Sequence, residues 1–267
     1  MINNLSEIIR FMEEIGWLNV GALIWFFCLW IGYARFAHSR AKHSNQGLAA
    51  VMGRRRREWV RQMLQRDLRV PDAALISSLE RNVTFLASSS MLILAGLLTV
   101  FVSVGRLQAV LFDVPFYVES SSFLLHLKLM VLIFIYAYAF FTFTWSIRQY
   151  GFAFVAIGSA PSPQEVQEHP EKVENFVRVC GKIIDLAAHT NNYGLRAFYF
   201  SLSVLAWFVN GWFFMIAATL VVAVLYNREF RSRPLMEMRK LEIFRDGFNE
   251  DINKELDNDV NTKTKKE

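Results

Sequence analysis

Residues Ala197–Asn227 read AFYFSLSVLAWFVNGWFFMIAATLVVAVLYN, 31 residues without Asp, Glu, Lys or Arg. A helix rises 1.5 Å per residue, so one continuous helix would reach about 46 Å. The hydrocarbon core of a bilayer is about 30 Å thick and takes about 20 residues. The run is too long for one ordinary span. Asn210-Gly211 near its middle is a strong turn dipeptide, which divides the run into two arms.

Three other stretches lack charge: Ile15–Ala34 with 20 residues, Asn82–Gly105 with 24 and Leu129–Ile147 with 19. Each is long enough for one spanning helix. Across the 267 residues, 54% are hydrophobic and only 20% charged, and the apolar excess is concentrated in these runs. That excludes a disordered chain, a disulfide scaffold and most soluble enzymes.

Charge placement sets the threading. Arg35–Arg81 carries eleven Lys or Arg, whereas Met1–Gly16 carries only Arg10 and Gly105–His126 only Arg106. Loops rich in Lys and Arg stay cytoplasmic. A single fourth span would then leave Arg228, Arg231, Arg233, Arg239 and Lys240 outside. A hairpin about Asn210-Gly211 returns them to the cytoplasm. The expected fold is an all-α polytopic membrane bundle with five spans, at 15–34, 82–105, 128–148, 189–209 and 211–227. Four spans is the competing count. The integral membrane domain is 1–232, with cytoplasmic loops 35–81 and 149–188, and 233–267 is a charged cytoplasmic tail expected to be frayed from Glu237 on. Met1–Gly16, with Glu7, Glu13 and Glu14, reads as a short amphipathic helix before an uncleaved first span. The chain is expected in a cell membrane, the bacterial inner membrane, N-terminus outside and C-terminus inside. Trp17 with Trp207 or Trp212 suits an outer interfacial belt, and Trp145 with Tyr226 an inner one.

Two cytoplasmic elements are legible. Gly53-Arg-Arg-Arg-Arg-Glu-Trp-Val60 either fixes topology alone or offers Arg54, Arg55, Arg56, Arg57 and Trp59 to anionic lipid head groups. Juxtamembrane basic residues gain about 1 kcal/mol each near an acidic surface. A membrane-facing loop speaks against nucleic acid as the partner. Ser162-Pro-Gln-Glu165 resembles a capping box with Pro at the first helical position, and His169-Pro170 is a second helix start. Val173, Phe176, Val177, Cys180, Ile183, Ile184 and Ala187 then recur at helical spacing. That stripe suits a helix lying along the membrane surface or against a neighbouring subunit.

Chemistry-bearing motifs are scarce. Cys28 and Cys180 fall at different depths, so no disulfide is expected. The histidines His38, His43, His126, His169 and His189 form no compact ligand spacing. There is no phosphate loop and no nucleophile elbow, and the spans hold no Asp or Glu. An enzyme, a metal site and a cofactor are therefore not expected. The remaining candidates are polar groups in or beside the spans, because an ionisable residue there is costly. Arg196 leads, with His189 and Asn192 below it on the ascending arm. Lys128, Arg148 and Ser89 complete a candidate polar pathway. The alternatives are a snorkelling anchor for Arg196, an interfacial pair for His126 and Lys128, and helix packing for Ser88-Ser-Ser90.

These segments together resemble the membrane-protein family catalogued as domain of unknown function 599. The resemblance lies in Gly53–Trp59, Leu79-Glu-Arg-Asn82, Leu127-Lys128, Trp145-Ser-Ile-Arg148, Ser159-Ala-Pro161, Arg196–Phe200 and Leu225–Arg231, across about residues 20–232. Asn210-Gly211 departs from a Gly-Pro turn in relatives, and both dipeptides favour a turn. The resemblance implies several membrane helices and leaves activity open. Two functions follow as expectations. One is a channel or small-solute transport protein, a homo-oligomer with its pore between subunits. The other is a non-catalytic scaffold that organises anionic lipid.

Overall fold

A computed structural model describes residues 16–43, 47–242 and 244. The described residues form helices and no strand: α1 Trp17–His43, α2 Leu48–Leu64, α3 Val70–Val102, α4 Val104–Phe112, α5 Ser122–Gly158, α6 Pro163–Glu168, α7 Pro170–Val209 and α8 Gly211–Phe230. Residues 233–242 are helical as well. The amphipathic lead expected over Met1–Gly16 lies outside the described residues, apart from Gly16.

Five segments run lengthwise: α1, α3, α5, the second half of α7, and α8. Four helices are long and apolar enough to cross a membrane, namely α1, α3, α5 and α8 with its continuation to Glu242. The chain is thus an all-α membrane-type bundle. The second half of α7 is enclosed by the others, and Ala197, Phe200, Ser201, Ser203, Val204, Trp207 and Phe208 are buried there. It packs on α5 and α8.

The last two segments form the expected hairpin. The α7 helix stops at Val209 because Asn210 is extended, with φ −160° and ψ 147°. The Asn210 side chain then accepts from the Trp212 N–H and caps α8. Gly211 is required here by close approach, since a Cβ would stand 2.3 Å from Leu18 Cδ2.

Cross-helix contacts give the direction of each of these segments. Trp207 Nε1 donates to Asn19 Oδ1, Phe101 meets His126 edge-on, and the Val118 N–H donates to the Val209 carbonyl. These contacts mark one end of the bundle. The Tyr33 hydroxyl donates to Glu229, Arg69 donates to the Ala160 carbonyl, and Arg54 donates to Glu242. These mark the other, basic end.

Four sequence expectations are corrected. The surface helix after Pro170 and the span from 189 are one unbroken 40-residue helix. Its apolar stripe does not lie on the membrane. Val177, Cys180, Ile184 and Ala187 are buried in the protein's core. The amphipathic α2 lies antiparallel along α7, seated by a glycine on each helix. Gly53 faces Asp185, and Gly181 faces Arg57. The tail is not frayed from Glu237, because helix 233–242 folds back to pair Glu242 with Arg54 at 2.7 Å. Trp207 is fully buried and belongs to no interfacial belt, whereas Trp17 and Trp212 are exposed.

The middle of the bundle is aromatic. Phe26 contacts Phe200 and Phe214, Trp207 stacks on Phe214 at 4.9 Å, and Trp30 stacks on Phe200 at 5.4 Å. In lipid, such van der Waals contacts must hold helices together, because apolar burial alone gains little against acyl chains.

Candidate functional site

At the basic end α2, α7 and α8 diverge around a cleft of about 220 Å³. Its polar lining is Arg56 from α2, His189, Asn192, Arg196 and Tyr199 from α7, and Arg228 and Glu229 from α8. Its apolar lining includes Met52, Leu195 and Leu225. The positions 189, 192, 196 and 199 share one face of α7 because they follow the i, i+3, i+4 rule.

Arg196 is the best-held of these groups. Its Nη2 lies 3.0 Å from both carboxylate oxygens of Glu229. The Tyr33 hydroxyl donates to the same carboxylate at 2.8 Å. The guanidinium also sits over the rings of Tyr33 and Tyr193, 5.4 and 5.5 Å from their centroids. Such cation–π placement suits a charge that has left water.

Arg56 is held from below by Asp185 at 2.7 Å. Asp185 also meets His189 Nε2 at 3.4 Å and Lys182 Nζ at 4.0 Å. Burial pushes the Asp185 carboxyl up. The His189 hydrogen bond and the charges of His189, Arg56 and Lys182 outweigh it and hold the carboxyl below the usual carboxylate range.

Arg228 differs from the other two. It is exposed, its guanidinium donates to the Tyr199 hydroxyl and lies 5.6 Å from that ring's centroid, and no carboxylate pairs with it among the described residues. Among the described residues, three guanidiniums thus line the cleft while two carboxylates serve them, and only Glu229 reaches the lining. Among the described residues, one positive charge is left over. A concave site of this kind is chemically an anion receptor, since guanidinium forks match carboxylate and phosphate oxygens.

The structure divides the sequence-predicted pathway. Arg196, His189 and Asn192 meet in the cleft. Lys128 does not join them. It is buried at the opposite end, donates to the Ser120 hydroxyl at 3.2 Å, and lies over Trp207 and Phe208. Eleven residues of α7 separate position 196 from 207, about 16 Å along the axis. Phe26, Phe143, Phe200 and Phe214 are fully buried in the bundle's interior. Arg148 is exposed on α5 over Phe152. Ser89 turns its hydroxyl back to the Phe85 carbonyl of its own helix, a bond that needs no partner.

The basic run is also divided. Arg54 holds Glu242 through two hydrogen bonds, and Arg56 holds Asp185. Arg57 is exposed beside Gly181. Arg55 buries its Nε and an Nη without a hydrogen-bond partner among the described residues. Trp59 gives its indole N–H to the buried Asp72 at 2.6 Å, which pins the start of α3 to α2. The indole N–H is thus committed inside the protein.

Glu229, Tyr33, Tyr199 and Arg228 escaped the sequence reading. Glu229 and Arg228 lie just past the uncharged run, where they read as flank. Tyr33 and Tyr199 carry no charge to mark them. The signal was the hairpin itself, which brings the end of α8 back beside Arg196.

The fold and this site define an integral membrane helix bundle with a basic cleft at one end. The chain belongs to the family described as "Protein of unknown function, DUF599", whose model matches residues 21–234. No curated protein and no solved structure matches the chain.

Proposed function

We propose that this chain is a non-catalytic membrane protein whose basic cleft binds an anion at the cytoplasmic face. The observation that carries the reading is the convergence of Arg56, Arg196 and Arg228 on one cleft lined, among the described residues, by a single carboxylate, Glu229. Positive charge in a partly desolvated concavity draws anions from solution and holds them by charge-assisted hydrogen bonds. The cytoplasmic assignment rests on the concentration of Lys and Arg at this end.

Conduction through one copy has weaker support. The aromatic core fills the bundle between the cleft and Lys128, so a transport path would have to run between copies. Binding is the function this geometry supports best.

The test uses the protein in neutral detergent. Thermal unfolding is followed as phosphate, pyrophosphate, sulfate and acidic lipid are added at several chloride concentrations. An anion that fills the cleft raises the midpoint, and chloride weakens the effect through screening. A midpoint that no anion moves would sink the reading.

A further inference from the structure

Resting on that reading, we infer that the cleft's ligand is the head group of an acidic phospholipid, a phosphodiester carrying one net negative charge. Three observations lead there.

The first is the two-sided wall. Arg56, Arg196 and Arg228 face the same space as Met52, Leu195 and Leu225. A free phosphate gains nothing from the apolar side. An amphiphile uses both, with its phosphate on the guanidiniums and the start of its acyl chains along the aliphatic wall.

The second is depth. Arg228 and Glu229 are the first charged residues after the 31-residue uncharged run that ends at Asn227. The cleft therefore lies where α8 passes from the hydrocarbon into the head-group layer. A phosphodiester of a bilayer lipid already sits at that level. The volume agrees, because about 220 Å³ is smaller than the roughly 300–1,000 Å³ of sites that enclose whole small molecules. A head group fits while its tails remain in the bilayer. Basic pockets between spanning helices are suited to such head groups.

The third is charge. Glu229 offsets Arg196 and Asp185 offsets Arg56, which leaves Arg228, among the described residues, with only a tyrosine hydroxyl. One unmatched cation calls for one net negative charge. A zwitterionic head group would bring its own ammonium among arginines, with Glu229 already held by Arg196 and Tyr33. The site assigned here is distinct from the Arg54–Trp59 patch, since only Arg56 of that run lines the cleft.

The experiment titrates the full chain in neutral detergent with short-chain phosphatidylglycerol, short-chain phosphatidylcholine, glycerol phosphate and inorganic phosphate. Bound lipid is counted by native mass spectrometry and stabilisation is read from the thermal midpoint. Phosphatidylglycerol is expected to bind at one per chain and to stabilise, with phosphatidylcholine about tenfold weaker, and the soluble phosphates weaker again. Arg228→Gln, a change at an exposed position, should weaken phosphatidylglycerol about tenfold. Arg178→Gln, at an exposed position outside the cleft, should leave it unchanged. Equal binding of glycerol phosphate would overturn the lipid assignment and leave the anion reading standing. Equal binding of phosphatidylcholine would overturn the charge requirement. Loss of all anion binding would overturn both readings. Full phosphatidylglycerol affinity in Arg228→Gln would place the lipid elsewhere.

Discussion

Arg196 and Glu229 stand 33 positions apart in sequence, yet one guanidinium nitrogen is 3.0 Å from both carboxylate oxygens. Their side chains are only 13% and 18% exposed. Charges withdrawn from water to this extent are tolerable together and costly apart. Glu229→Leu should therefore destabilise the bundle by about 3 kcal/mol, since it leaves the Arg196 charge unmatched. The double change Arg196→Leu with Glu229→Leu should recover most of that loss, because it removes both desolvation costs together. Thermal unfolding in detergent checks the pair. A double variant no better than Glu229→Leu alone would mean that the two residues act independently.

Gly194 sets how closely α5 and α7 approach. A Cβ on Gly194 would stand 2.5–2.8 Å from the ring of Phe143. That ring is fully buried and meets Phe198 edge-on, so it has little room to yield. Gly194→Ala should cost about 1–3 kcal/mol by overpacking. Adding Phe143→Leu should relieve it in part. Gly96→Ala is the control, since nothing lies within 4 Å of its Cβ position. A lower unfolding midpoint in Gly194→Ala, unchanged in Gly96→Ala, is the expected result.

The same contacts mark the limit of what the chain discloses in one dimension. The uncharged runs located the passes and Asn210-Gly211 located the turn, because cost in hydrocarbon and turn chemistry are local properties. Helix ends were less visible. The α3 helix begins at Val70, twelve residues before the charge-free stretch, with Pro71 in its first turn. Absence of charge reports what lies in lipid, and a helix continues past that boundary at no penalty. Continuity across Ala188–His189 was hidden for the same reason, since the composition shift there resembled a loop joining a span. The cleft was half legible. Arg196, His189 and Asn192 were marked by their cost inside a span. Their partners Glu229 and Tyr33 depend on which helices are neighbours, and a single sequence does not encode that in any local pattern. Lys128 was assigned to the same path only because both lysine and arginine were expensive, a criterion blind to depth.

Acid should loosen the joint between α2 and α7. The Asp185 carboxyl is held below its ordinary value of about 3.9 by His189, Arg56 and Lys182, against the upward push of burial. A group depressed in the folded state adds stability that is complete above its unfolded value. That stability drains away as pH falls through the folded value. The unfolding midpoint should thus be insensitive to this group at neutral pH and fall once pH drops below about 4. Asp185→Asn should lower the midpoint at pH 7, costing about 3 kcal/mol through the unpaired Arg56, and should flatten the acid limb. An acid limb of unchanged steepness in Asp185→Asn would assign that limb to other carboxylates.

Threading can be read chemically. Val118 lies at the end where α7 and α8 turn, bonded to the Val209 carbonyl, and is 55% exposed. Lys240 follows α8 at the basic end and is 71% exposed. In the proposed five-pass threading, with the Lys- and Arg-rich end in the cytoplasm, these two positions fall on opposite sides of the membrane and Lys240 is cytoplasmic. In a background with Cys28 and Cys180 replaced by serine, Val118→Cys should react with an impermeant maleimide on intact cells. Lys240→Cys should react only after permeabilisation. Buried Cys180, whose thiol burial pushes up to about 11, offers an internal check, since in the native chain it should stay unmodified until the bundle unfolds. Labelling of Lys240→Cys from outside, with Val118→Cys also labelled, would remove one crossing from the bundle and return the second half of α7 to one side of the bilayer.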